Sequence, residues 1–300
     1  MNKPVIMEFR DPKSGERCVR IDHPSGLPIF VCPKPGYQSA YAVFAVKYGS
    51  VDTTFVEDGR EVEVPEGIAH YLEHKLFENE DCDAFERYAH TGASANAYTS
   101  FERTAYLFNC TGRLEESLEI LLDFVQRPYF TEETVRKEQG IIGQEIRMCE
   151  DSPNRRVLFN LLKALYQNCP VRVDIAGTVE SIAEITPELL YSCYRSFYNL
   201  RNMVLVVAGN VDTDTVLRVA DRVLIPAPEW NLERGRRRQS RFRRRPPGWK
   251  PICRWRRPCS IMDTNAPCRV RPIVRQRNWW RRTCCWNCWQ ASPRRCMPGC

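Results

Sequence analysis

The alternation of apolar and polar positions divides the first 230 residues into short strands and amphipathic helices. Residues 18–23 and 28–32 read as two strands around the turn Pro24-Ser-Gly26. Residues 39–49 are apolar on both faces, as expected of a central strand in a sheet covered on one side. Residues 66–78 lack Pro and Gly after Gly67 and carry Leu72, Leu76 and Phe77 as an apolar stripe, which predicts a helix. A second short helix is expected at 82–90. Residues 92–100 are small and extended, and 103–110 alternate Thr104, Tyr106 and Phe108 against Ala105 and Leu107, so the two segments read as paired strands.

Leu114, Leu118, Leu121, Leu122 and Val125 recur at helical spacing and predict a helix over 113–126, stopped near Pro128. Thr131 is a suitable N-cap for a helix running to about 149. Further helices are expected at 153–167 and, from Thr186-Pro187, at 187–197. A strand at 203–207 and a helix at 213–224 complete the body. The expected class is α+β, a mostly antiparallel sheet with helices covering one face, and no internal repeat is evident.

Composition divides the chain near residue 231. Residues 231–300 hold 19 Arg and one Lys against two acids, a net of +18, so within a total of +7 residues 1–230 carry −11. All seven Trp lie at Trp230 or beyond, as do eight of the fifteen Cys. The N-terminus has no long apolar core of a secretory signal, and no run approaches the ~18 apolar residues of a membrane span. The seven body cysteines show no close spacing, which fits reduced thiols and a cytoplasmic location.

Candidate chemistry sits in the helix at 66–78. His70 and His74 are four apart, so their imidazoles lie one above the other on one face. Two such nitrogens can share one zinc at ~2.0–2.1 Å each. Glu73 lies one turn past His70, where a carboxylate can take a proton from a zinc-bound water. The order His-x-x-Glu-His inverts the commoner zinc-peptidase signature. In the helix at 133–149, Glu138 and Glu145 are two turns apart and face the same way, among Ile141, Ile142 and Ile146. Glu145 can complete a His2Glu site with water in the fourth position, and Glu138 can orient a ligand from behind. Read from the residues alone, both glutamates are equally compatible with an exposed, solvated helix face.

His-x-x-Glu-His followed by Glu-x6-Glu resembles the insulinase/pitrilysin family of zinc metallopeptidases. His-Lys-Leu-Phe-Glu78, Gly-Ala-Ser-Ala-Asn-Ala-Tyr-Thr-Ser-Phe, Arg-Thr-Ala-Tyr-Leu-Phe and Ile-Ala-Gly-Thr-Val-Glu-Ser-Ile extend the likeness, to a bacterial, cytosolic branch, through about Val211. The resemblance implies one Zn2+ per chain on His70, His74 and Glu145, Glu73 as general base and Glu138 in support. It also implies that Asn96 and Ala97 lie on an edge strand that pairs with an extended peptide substrate. In such a family the body is the N-terminal half, and a second half-domain or paired subunit helps enclose the substrate. The expected function is a zinc endopeptidase, weakly active or inactive as this truncated chain. The alternative is a non-catalytic subunit of the same fold that binds peptides or an active partner.

Residues 231–300 do not resemble that second half. A nucleic-acid arm, with Arg on phosphates and Trp for stacking, is one reading. A metal site at Cys285-x-x-Cys288 is another, without a second pair at zinc-ribbon spacing. A third follows from codon degeneracy. Cys285-Trp-Asn-Cys-Trp-Gln290 back-translates to TGY TGG AAY TGY TGG CAR, and reading from the third base gives Leu-Glu-Leu-Leu-Ala without ambiguity. In that frame the following residues permit a helix-and-loop segment like one in the family's second half. The favoured expectation is therefore a frameshift between about Leu232 and Arg245, with a disordered, non-globular basic tail that has no selected function and no nucleic-acid or membrane partner.

Overall fold

The structure is a computed structural model that describes residues 4–234. In chain order the elements before the first helix are β1 (Val5–Arg10), β2 (Arg17–Asp22), β3 (Pro28–Pro33), β4 (Ala40–Val46), β5 (Thr54–Glu57) and β6 (Arg60–Glu63). Then follow α1 (Ile68–Leu76), α2 (Ala84–Thr91), β7 (Ser94–Thr99), β8 (Thr104–Cys110), α3 (Leu114–Val125), α4 (Glu132–Glu150) and α5 (Pro153–Leu165). The remainder comprises α6 (Val179–Ile182), α7 (Pro187–Phe197), β9 (Met203–Gly209), α8 (Thr213–Val223) and β10 (Glu233–Arg234).

Seven strands form one sheet in the order β1-β2-β3-β9-β4-β8-β7, antiparallel except where β9 lies parallel to β3. The period-2 pattern aligns across it. Ile21, Ile29, Leu205, Phe44 and Tyr106 are successive partners in one row, and all are fully buried. The helices cover this face, with Leu118, Leu121 and Leu122 of α3 and Val216, Val219 and Ala220 of α8 in the same core. The α+β class, the central position of β4 and the β7–β8 pairing therefore follow the hydrophobic pattern.

Three strands do not. β1 is exposed at all six residues, so Val5, Ile6, Met7 and Phe9 give it no alternation to read. β5 and β6 form a small second sheet with β10. Their hairpin turns through Asp58 and Gly59, both at positive φ (52° and 76°), the type I′ conformation that an Asp-Gly pair favours. Here the turn residues, not the apolar period, carried the signal. Glu233 and Arg234 pair with Val56 and Phe55, while the rest of the expected tail, from residue 235, lies outside the described residues.

The cysteines also differ from their spacing in sequence. Cys18 and Cys32 are fourteen residues apart, yet the β2–β3 register brings their Sγ atoms to 3.0 Å.

Candidate metal centre

Two helices and one strand build the site. α1 begins at Gly67, which has φ 91° and no side-chain cap. A Cβ there would meet the Ala176 carbonyl oxygen at 2.5 Å, and a Cβ on Gly177 (φ 75°) would meet that of Glu66 at 2.5 Å. Two glycines thus let the 174–177 loop close on the start of α1, and the Ser181 hydroxyl donates to the Glu66 carbonyl at 2.8 Å. α1 then buries Ile68, Ala69, Tyr71, Leu72 and Leu76 in the core. The Tyr71 hydroxyl donates to the Val135 carbonyl and ties α1 to α4. α4 is started by a capping box at Thr131 and anchored by Val135, Ile142 and Ile146.

This packing brings His70, His74 and Glu145 together, with one potential ligand atom from each within 4.8 Å of the others. His70 Nε2 lies 3.7 Å from Glu145 Oε1, and His74 Nε2 lies 3.5 Å from Glu145 Oε2. Both separations exceed a good hydrogen bond. Two ligands at ~2.0–2.2 Å from one tetrahedral ion stand roughly 3.4 Å apart, so the donor set fits a zinc ion. His74 Nδ1 lies 2.9 Å from Glu138 Oε1, which orients the ring so that Nε2 faces Glu145. The buried Nδ1 of His70 has no hydrogen-bond partner among the described residues.

The electrostatics separate the two histidines. Burial, with His74 next to it, holds His70 down at about 4. Burial also works against charge on His74, but its contacts with Glu138 and Glu145 outweigh that and raise it to about 9. Glu145 is held below the ordinary carboxylate value, chiefly by His74. Without a metal the centre is therefore a neutral His70 beside a His74–carboxylate ion pair.

Glu73 points from the same helix toward β7. It is 7% exposed, and burial raises its pKa although Thr99 Oγ1 donates to its Oε2. Thr99 ends β7, the edge of the large sheet, which carries Asn96 and Ala97. Ser100 N–H donates to the Arg103 carbonyl, so the antiparallel alternation turns the N–H and C=O of Ala95, Ala97 and Thr99 away from β8. The Ala97 N–H, on that outer side, is held by the Asn96 side chain at 2.8 Å.

Thr99 and the pair Arg155–Asp174 carry no signal in the sequence. Arg155 on α5 holds Asp174 through two bonds, one of 2.7 Å from Nε. Asp174 in turn accepts from the Ala176 N–H at 3.1 Å, in the loop that abuts Gly67. The Arg155 charge also acts on His70 and Glu145. Only the fold reveals such contacts, because they join elements distant in sequence.

Residues 47–179 match the insulinase model (peptidase family M16), and 184–254 match the peptidase M16 inactive domain. The uncharacterized zinc protease YmfH of Bacillus subtilis is 55% identical over 195 residues, 64% of this chain and 46% of that protein. An uncharacterized zinc protease of Rickettsia felis is 32% identical over 163 residues, 53% of this chain and 40% of its own. Among solved structures, a putative M16-like peptidase from Alicyclobacillus acidocaldarius superposes with TM-score 0.68 at 44% identity, over 78% of this chain and 53% of that one. Pitrilysin shares the fold, with TM-score 0.64 at 18% identity, over 75% of this chain and 24% of its own. The chain spans about half the length of the curated relatives it matches. The mostly antiparallel sheet, the two matched models and these relatives together place the chain in the insulinase (M16) family of peptidases.

Proposed function

We propose that this chain carries the zinc centre and general base of a peptide-bond hydrolase. The observation that carries the reading is the convergence of His70, His74 and Glu145, one ligand atom from each within 4.8 Å of the others, with His74 held from behind by Glu138. One zinc ion per chain would be held by His70 Nε2, His74 Nε2 and a Glu145 oxygen. When bound, zinc lowers the pKa of water toward 7 and polarises a carbonyl oxygen.

The chain's own groups do the rest. Glu73 is the base: Thr99 occupies Oε2, which leaves Oε1 to take the proton of the attacking water and pass it to the leaving amine. Burial raises the Glu73 pKa and so strengthens it as a base. An extended peptide adds to the open edge of β7, where the N–H and C=O of Ala97 offer ladder bonds once Asn96 releases the N–H. The small side chains of Ala95 and Ala97 leave the backbone accessible.

The active unit includes a second half-domain or a paired subunit. α5 buries only Phe159 and leaves Val157, Leu158, Leu161 and Leu165 exposed, a stripe that such a half would cover. This chain alone is accordingly weak or inactive in hydrolysis. A peptide-holding partner of the same fold is the second reading, favoured by the match of 184–254 to an inactive domain. No helix among the described residues is long and apolar enough to cross a membrane. We infer a cytoplasmic location from the lack of closely spaced cysteines in the body of the sequence.

Glu73→Gln, compared with wild type for bound zinc and, with a second half-domain of the family supplied to both, for cleavage of a quenched fluorescent peptide, tests the assignment. Zinc should be retained, and cleavage should fall roughly 10²–10⁴-fold. Equal cleavage in both proteins would remove Glu73 from the mechanism. Zinc bound with no cleavage in either would favour the peptide-holding partner.

A further inference from the structure

Cys18 on β2 and Cys32 on β3 lie on the sheet face opposite the one that buries Val19 and Val31. The Val19–Val31 pairing sets them directly across from each other. Their pair type follows from the hairpin. The His23 N–H donates to the Leu27 carbonyl at 3.1 Å, so that pair is hydrogen-bonded, and alternation makes 18/32 a non-hydrogen-bonded pair. The same alternation explains why Pro28, without an N–H, is tolerated opposite Asp22. Directly opposed residues of this type have Cα atoms about 4.5 Å apart, inside the ~4.4–6.8 Å range of disulfides. Their Sγ atoms are 3.0 Å apart, within about 1 Å of a covalent bond. Both residues are partly exposed, so a small oxidant can reach them.

We propose that Cys18 and Cys32 are a redox modification site, closing to a reversible cross-strand disulfide on oxidation by a hydroperoxide and reopening with a small thiol. The Cys18 thiol releases its proton and its sulfur attacks an oxygen of hydrogen peroxide; the S–O bond forms, the O–O bond breaks, and the departing hydroxide takes up that proton as water, leaving Cys18 a sulfenic acid. The Cys32 sulfur then attacks the Cys18 sulfur, the S–S bond forms, the S–O bond breaks, and the departing hydroxide takes the Cys32 proton as a second water. Two thiols lose two electrons in total, and one peroxide is reduced to two waters. Burial, then the contact with Cys18, pushes the Cys32 thiol up to about 12, so it stays protonated and is not the sulfur that attacks the peroxide first. Neither cysteine belongs to the metal centre, so zinc binding is not required.

The test is peroxide treatment of the reduced full-length chain, followed by alkylation, trypsin and mass spectrometry. The expected product joins residues 18–20 to the peptide holding Cys32, about 2 Da lighter than the two reduced peptides together, and dithiothreitol reverses it. Cys82 and Cys149, partly exposed and without a facing thiol among the described residues, should keep their alkylation at the same dose. Cys32→Ser should lose the joined peptide and leave Cys18 trapped by a sulfenic-acid reagent. Cys18 and Cys32 still alkylated separately after Cys82 and Cys149 have reacted would overturn the proposal. So would Cys18 joined only to cysteines beyond residue 234.

Discussion

Glu138 never touches the proposed metal, yet its removal should weaken zinc binding by an amount that depends on pH. Its Oε1 accepts from His74 Nδ1 at 2.9 Å, and the two side chains are 14% and 26% exposed, so little water can replace the bond. Losing such a supporting carboxylate typically costs 10–100-fold in metal affinity, about 1.4–2.7 kcal/mol. Zinc must also displace a proton from His74 Nε2. Glu138 helps to hold His74 up at about 9, so wild-type affinity should fall roughly tenfold per pH unit below 9. Glu138→Ala lowers the affinity of His74 for zinc and for its proton together. At pH 9, where little proton competition remains in wild type, the loss should approach 100-fold. At pH 7 the eased proton competition should offset much of it. Glu138→Gln keeps a neutral acceptor and should fall between. Zinc competition against a fluorescent chelator at the two pH values measures both ratios. A wild-type to Glu138→Ala ratio under threefold at pH 9 would show that other contacts orient His74.

Three further outcomes follow from the same geometry. Gly67→Ala forces a Cβ against the Ala176 carbonyl at a positive φ, and should lower stability by about 1–3 kcal/mol, read as a drop in Tm by circular dichroism. An unchanged melt would mean that the 174–177 loop yields freely. Ala97→Pro removes an N–H that faces away from β8, so the fold should survive while KM for peptides rises severalfold in the assembled enzyme; an unchanged KM would remove the β7 edge from binding. In the metal-free protein, His74 is raised in the folded state, so its contribution to stability is full below pH ~6.5 and is lost as pH rises through about 9. Urea melts at pH 6 and pH 9.5 should show that decline, and Glu138→Ala should flatten it.

The sequence was legible where chemistry and period coincide on one element. His70, Glu73 and His74 share a helix whose apolar stripe is plain, and Glu138 and Glu145 fall two turns apart on another. What the pattern could not state is how far apart those two helices sit. Nothing local in α4 says that Val135 accepts a bond from Tyr71, which holds the helices together. The same limit hid Thr99 behind Glu73, the Arg155–Asp174 tie to the start of α1, and the Cys18–Cys32 contact. Each is set by strand register or helix packing between residues distant in sequence.

The proposed metal site draws on a compact part of the chain. Every proposed ligand, the base and the groups orienting them come from α1, α4 and β7, all packed on one core. The proposed zinc binding would therefore need no second half, whereas the proposed peptide hydrolysis would need a substrate fixed from both sides. Affinity for zinc and turnover should consequently separate in this chain: near-stoichiometric metal with little cleavage alone, and cleavage restored when a second half-domain of the family is supplied. Weak zinc binding that recovers only with the added half would instead mean that the ligands are not preorganised by this core.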